Sequence, residues 1–123
     1  MAIGRRTWAI GEGYIPSGSV SPARDLVSHE ALCLLNSGDG DADVRLTVFF
    51  EDREPVGPYR AAVGARRTLH LRLNDLDDPE PLPRDTAYAV LIESTVPIVV
   101  QHTRLDSRNP NIALLSTMAF PVD

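Results

Sequence analysis

One stretch decides how this chain is read: Val96-Pro97-Ile98-Val99-Val100-Gln101-His102-Thr103-Arg104-Leu105-Asp106-Ser107-Arg108. Ile98, Val99 and Val100 are consecutive β-branched residues, which suit a pleated, buried surface. The same run then turns polar without a break. Side chains alternate along a strand, so Ile98, Val100, His102, Arg104 and Asp106 share one face, and Val99, Gln101, Thr103 and Leu105 the other. One face thus starts apolar and ends in an imidazole, a guanidinium and a carboxylate. That gradient belongs to a strand running from a core to the lip of a polar pocket or into a subunit interface, and the sequence leaves the two open.

Outward from this stretch, strand signals recur. Residues 43–50 alternate cleanly, with Val44, Leu46, Val48 and Phe50 set inward against Asp43, Arg45 and Thr47. Residues 66–73 alternate again, Leu69, Leu71 and Leu73 opposing Thr68, His70 and Arg72. Residues 87–94 and 97–106 read as two strands jointed at Val96-Pro97, and residues 113–120 close the chain. Residues 6–15 read as a strand or strand pair, with Gly11 and Gly13 marking a bulge or a close backbone approach. Residues 59–63 form a short strand. The stretch 22–35 is ambiguous, because Ser21-Pro22 could open a helix. As a strand, residues 29–36 place His29, Ala31, Cys33 and Leu35 on one face and Glu30, Leu32, Leu34 and Asn36 on the other, and the β context favours the strand. Turn clusters at 37–41, 51–57 and 109–111 and a Pro-rich acidic loop over 74–84 separate these elements. Seven to nine short strands at such spacings predict an all-β fold, an antiparallel β-sandwich, in a single domain spanning residues 1–123.

Composition agrees: 123 residues, 43% hydrophobic and 24% charged, suit one two-layer globular core. All twelve basic residues are Arg, so each can pair bidentately with a carboxylate or phosphate. The net charge of −5 argues against a large phosphate-binding surface. The lone Cys33 lies in an apolar run and reads as a small hydrophobe. No signal-peptide core opens the chain and no apolar run is long enough for a membrane span, so a soluble, cytoplasmic protein is expected.

Several further groups of residues repeat a known pattern. Trp8-Ala9-Ile10, Glu12-Gly13-Tyr14-Ile15-Pro16, Ser28-His29-Glu30, Pro55-Val56-Gly57-Pro58-Tyr59-Arg60, Ala65-Arg66-Arg67-Thr68, Asn74-Asp75-Leu76 and Ala113-Leu114-Leu115-Ser116-Thr117 join the stretch around His102. Together they resemble the family of the Anabaena sensory rhodopsin transducer over nearly the whole chain. The resemblance implies a small β-sandwich that assembles as a homotetramer. It further implies signal relay from a microbial rhodopsin or binding of a small molecule such as a sugar, with DNA binding also suggested for the family. The loop over 17–27 departs from the named member in composition.

No enzyme is expected. The serines lack a nucleophile-elbow context, and His102 and Asp106 share a face but have no partner nucleophile. His29, His70 and His102 show no His-x-His or His-x-x-x-His spacing, so no metal site and no cofactor are expected. A binding module fits the residue types better: His102, Arg104, Asp106 and Arg108 supply donors and acceptors, with Glu12 and His29 further polar candidates. Trp8 and Tyr14 offer flat faces on which an amphipathic ligand packs. The competing reading makes Trp8 core and pairs Arg104 with Asp106 within the fold or across subunits. Arg66, Arg67, Asn74 and Asp75 are the partner-surface candidates. The first two belong to a basic stripe whose neighbours face opposite ways. The acidic 75–85 segment suits an Arg-rich neighbour or the basic cytoplasmic loops of a membrane receptor.

Overall fold

A computed structural model describes residues 2–123. Its elements are eight strands: β1 (Arg5–Tyr14), β2 (His29–Asn36), β3 (Ala42–Phe50), β4 (Val56–Val63), β5 (Arg67–Arg72), β6 (Ala87–Asp106), β7 (Ala113–Met118) and β8 (Phe120–Pro121), with one 3-10 turn at Leu73–Asp75. Every pairing is antiparallel. The expected all-β sandwich is the observed fold. The 22–35 ambiguity resolves as strand for its second part, residues 29–36, preceded by turns rather than a helix.

β6 organises the molecule. It is a continuous 20-residue strand where the sequence suggests two, and the Val96-Pro97 joint is where it changes sheets. Its first half pairs with β1 and β3, as in Val90 opposite Ile10 and Val48. Its second half pairs with β2 and β7, as in His102 opposite Leu32 and Thr117. Pro97 has no N–H to donate, so it suits a position where the ladder is changing partners. The first sheet therefore runs β4-β3-β6-β1-β8 and the second β5-β2-β6-β7.

The core fills the space between them. Val44, Leu46 and Val48 of β3 meet Leu32 and Leu34 of β2, with Tyr88, Val90, Ile92, Ile98 and Val100 from both halves of β6. Burial along β6 alternates as the sequence predicts, with Ile98, Val100 and His102 buried and Gln101 exposed. Two glycines are required by close approach. A Cβ at Gly4, where φ is +102°, would stand 2.0 Å from the Ile98 carbonyl oxygen. A Cβ at Gly13 would stand 2.4 Å from the Tyr88 ring, and the register between Ile10 and Gly13 is shifted as a bulge requires.

The two outer faces differ in chemistry. The first sheet carries a charged row, Glu93 paired with Arg45 and Arg45 with Arg60. On the second, the rows Ala31–Thr103–Ser116 and Cys33–Gln101–Met118 carry no charge across β2, β6 and β7, and the first ends in Arg72 of β5, opposite Ala31. β7 is that sheet's edge, exposed along its whole length. No helix among the described residues is long and apolar enough to cross a membrane.

Candidate functional site

The polar end of β6 closes around a carboxylate that strand alternation puts on the apolar face of β2. Glu30 shares that face with Leu32 and Leu34 and is 0% exposed. A buried carboxylate is tolerated only when its lone pairs are filled, and four donors fill them. Oε1 accepts from the Tyr88 hydroxyl at 2.7 Å and from His102 Nε2 at 2.7 Å. Oε2 accepts from the Tyr14 backbone N–H at 2.7 Å and from Arg104 Nε at 3.0 Å. Burial pushes the Glu30 pKa up, but the bonds from His102, Tyr14 and Tyr88 outweigh it and hold the group below its ordinary value. Burial, then the neighbouring Glu30 charge, drives the Tyr88 hydroxyl well above its ordinary value. Glu30 is thus a fixed anion and Tyr88 a permanent donor.

Two of these partners have hydrogen-bonding capacity beyond Glu30. Arg104, opposite Glu30 in the β2–β6 register, also donates from Nη1 to Glu12 Oε1 at 3.3 Å and from Nη2 to the Glu12 carbonyl at 3.2 Å. Of the five guanidinium N–H groups, two have no partner among the described residues. His102 Nε2 donates to Glu30, since a carboxylate oxygen can only accept. Its Nδ1 has no partner among the described residues. Glu12 and His102 line a cavity of about 210 Å³ between β1 and the β7–β8 segment, with Thr117, Met118 and Phe120 as its other wall.

Hydrogen bonds anchor the loops around this cluster. Asn74 Oδ1 accepts from the Glu30 backbone N–H at 3.2 Å, while its Nδ2 donates to the Ser28 carbonyl at 3.1 Å. Buried Ser28 accepts from the Ser107 N–H at 2.9 Å, and the Val20 N–H donates to the Ser107 carbonyl at 2.9 Å. The loop before β2 is so tied to the end of β6.

The sequence candidates fall into three groups. His102, Arg104, Glu12 and the backbone of Tyr14 converge on Glu30. Asp106 and Arg108 pair with each other at the rim, Nη2 to Oδ2 at 2.6 Å, an arrangement that lowers the Asp106 pKa. Trp8 and His29 point elsewhere. Trp8 is core, its indole N–H donating to the Ile98 carbonyl at 3.1 Å, and His29 lies on the opposite face of β2, its Nδ1 bonded to the Val27 carbonyl at 2.6 Å.

Of the partner-surface candidates, Asn74 is an internal brace. Asp75 pairs with Arg24 at 2.5 Å, beside a shallow 440 Å³ depression lined by Arg60, Leu76, Asp77 and Asp78. Arg66 pairs loosely with Asp39, and Arg67 bonds the Arg66 carbonyl, both at the end of β5 remote from Glu30. Glu30 and Tyr88 are site residues the candidate set lacks. The signal for Glu30 was its place between apolar neighbours on one strand face. No comparable signal marks Tyr88.

The family model described as Anabaena sensory rhodopsin transducer matches residues 3–121. Among solved structures, the Anabaena sensory rhodopsin transducer is 59% identical, covering 88% of this chain and 94% of that one, with a TM-score of 0.79. The Thermotoga maritima 1070 structure is 38% identical, covering 97% of this chain and 96% of that one, with a TM-score of 0.85. No protein of curated function matches.

Proposed function

This chain belongs to the Anabaena sensory rhodopsin transducer family, and from that premise we propose that it is a non-enzymatic, cytoplasmic signal-relay module whose input is a small polyhydroxylated molecule such as a sugar. The observation that carries the reading is the set of unfilled hydrogen-bonding positions around the 210 Å³ cavity. Glu12 and His102 line it, Glu12 with an exposed carboxylate that accepts and His102 with a ring nitrogen, Nδ1, that has no partner among the described residues. Arg104, bonded to Glu12 just outside the lining, keeps two N–H groups without a partner among the described residues. A hydroxyl both donates and accepts, so adjacent hydroxyls on one ring match such a mixed set. The apolar wall of Met118 and Phe120 suits the C–H face of that ring. The volume lies below the roughly 300–1,000 Å³ of pockets for drug-sized ligands, which restricts the occupant to a single small ring.

Thermal melts against a panel of monosaccharides and small metabolites test this. A ligand that binds only the native state raises Tm, by a stabilisation that grows with the logarithm of one plus its concentration over Kd. The expected result is a concentration-dependent rise with at least one sugar, continuing logarithmically above Kd and absent in Arg104→Ala. A flat response of wild type across the panel would refute the sugar reading.

A second reading has its own support: a protein–protein adaptor for the cytoplasmic face of a microbial rhodopsin, acting without a small ligand. The outer face of the second sheet over β6 and β7, where Gln101, Thr103, Ser116 and Met118 carry no charge and Leu114, Met118 and Phe120 are exposed, favours a macromolecular contact. We take that face to be occupied first by further copies of this chain, in a homotetramer, and sedimentation velocity reads the oligomeric state directly. DNA binding is the remaining alternative. It requires a basic surface, and Arg66 and Arg67 are the residues it would use, at the end remote from Glu30.

A further inference from the structure

We propose that the cavity between β1 and the β7–β8 segment selects a sugar ring carrying a protonated amine, an amino sugar, over the neutral forms of the same ring. The inference rests on the sugar reading above and names the class of ring within it.

The cavity opens where the ladder of β1 is interrupted. Ile10 pairs with Val90 and Gly13 with Tyr88, so Gly11 and Glu12 together oppose the single residue Ala89. β8 pairs with β1 only at Trp8 and Ala9, and the Ala119 N–H donates instead to the Val100 carbonyl at 3.1 Å. The bulged residues are thus left beside a gap, and a bulge re-aims the side chain it carries. That side chain is Glu12. Arg104 holds it from outside, donating to both its carboxylate and its backbone carbonyl, while 86% of the side chain stays exposed.

Within the lining itself, side chains accept hydrogen bonds and hardly donate them. Glu12 is the one charged side chain there, and as a carboxylate it only accepts. His102 is 6% exposed. Because its Nε2 donates to Glu30, Nδ1 of the neutral ring is a buried acceptor without a partner among the described residues. Thr117 brings a hydroxyl that serves either way, and no lining side chain brings an N–H beyond the one His102 spends on Glu30. A ring hydroxyl offers this set one donor, whereas an ammonium offers three and needs no donor in return. Charge points the same way. Glu30 and Arg104 pair at 3.0 Å and cancel, which leaves Glu12 in excess. One positive charge on the occupant neutralises that excess, and a carboxylate or phosphate would add to it. The exposed Phe120 ring supplies a face to which a cation is also drawn.

Calorimetric titration tests this with glucose, galactose and mannose, each beside its 2-amino and 2-acetamido form. At about pH 7 an amine on such a ring is mostly protonated, as an α-amino group is below ~7.7–8.0. At least one 2-amino sugar is expected to bind about 10-fold more tightly than both neutral forms of its ring. The preference is expected to shrink between ~0.01 and ~1 M salt, because Glu12 is exposed to screening. It is expected to vanish in Glu12→Gln and to persist in Glu54→Gln, which removes an equal charge from the exposed turn between β3 and β4. Neutral forms binding as tightly as the amines would overturn the amine selection and leave the sugar reading standing. A preference that survives Glu12→Gln, or is lost as much in Glu54→Gln, would overturn its assignment to this cavity. No binding by any of the nine would overturn the amine selection, while the wider melting panel decides the sugar reading separately. Should Glu12→Gln fold poorly, the salt series on the unmodified protein reads the same charge dependence, and a salt-independent preference would overturn the proposal.

Discussion

Replacing Glu30 by Gln keeps the shape of the site and removes its charge. Each carboxylate oxygen now accepts two bonds, Tyr88 and His102 at one, Tyr14 N–H and Arg104 at the other. A glutamine keeps one oxygen, and its amide nitrogen turns two N–H groups toward the two remaining donors. With that nitrogen on the Oε1 side the Tyr88 hydroxyl can turn to accept and His102 must present Nε2 without its proton, so the bonds are re-formed at a cost, and Arg104, its side chain only 20% exposed, loses its inner counter-charge. A buried donor left unpaired costs about 1–3 kcal/mol, and removing one partner of a buried ion pair about 3–5 kcal/mol. The two figures describe overlapping losses, so the expected destabilisation is about 3–5 kcal/mol, a large fraction of the ~5–15 kcal/mol that holds a domain folded. Urea denaturation reads it: with a slope of ~1–3 kcal/mol/M the midpoint falls by roughly 1–5 M. Glu12→Gln, at the exposed end of the same arginine, is the control and is expected to cost about 0–1 kcal/mol. A Glu30→Gln loss below about 1 kcal/mol would refute the reasoning, because the four bonds would then contribute no more than surface contacts.

Other outcomes follow from the same geometry. Because Glu30 titrates below its usual 4.5 when folded, the unfolded chain binds the proton more readily. Its stabilisation is therefore complete above about pH 4.5 and disappears as pH falls through the depressed folded value. Melts between neutral pH and about pH 3 are expected to show Tm dropping below about pH 4.5, with a shallower acid limb in Glu30→Gln, and equal acid limbs would contradict this. Gly13→Ala drives a methyl to 2.4 Å from the Tyr88 ring. The ring must move, its bond to Glu30 breaks, and a loss of about 1–3 kcal/mol is expected in urea; a wild-type midpoint would contradict the close packing. Tyr88→Phe leaves the ring in place and removes only its hydroxyl, so the loss expected by the same assay is that of one bond to a charged group, about 1.5–3 kcal/mol.

Much of this molecule was legible in its residues because burial is periodic. The alternation of Val44, Leu46 and Val48 appears unchanged in β3, and the apolar-to-polar gradient from Ile98 to Arg104 is the gradient of burial along β6. The same alternation puts His102 and Arg104 on one face of β6, where both bond Glu30. Glu30 was not picked out as a site member, although its position opposite the outward-facing His29 was. A carboxylate among leucines reads as a site only when its partners are known, and Tyr88 and Arg104 lie 58 and 74 residues away in the chain. The single long strand was read as two because Pro97 ordinarily ends a ladder. Here the ladder continues, because the strand passes between sheets where no N–H is required of it. Trp8 offered a ligand face by residue type alone, but its indole is turned to the Ile98 carbonyl inside the core.

The most direct test of the proposed input is a 1H–15N NMR titration with the panel sugar that raises Tm most, following the Arg104 Nε–H and the backbone amides of Gly11, Glu12, Tyr14, Thr117 and Met118. The expected result is saturable shifts at these positions with a single Kd, and loss of saturation in Arg104→Ala. Saturable shifts confined to other surfaces, or no saturable shift from any sugar, would contradict the assignment of the Glu30–His102–Arg104 cluster and its cavity as the site where the signal enters.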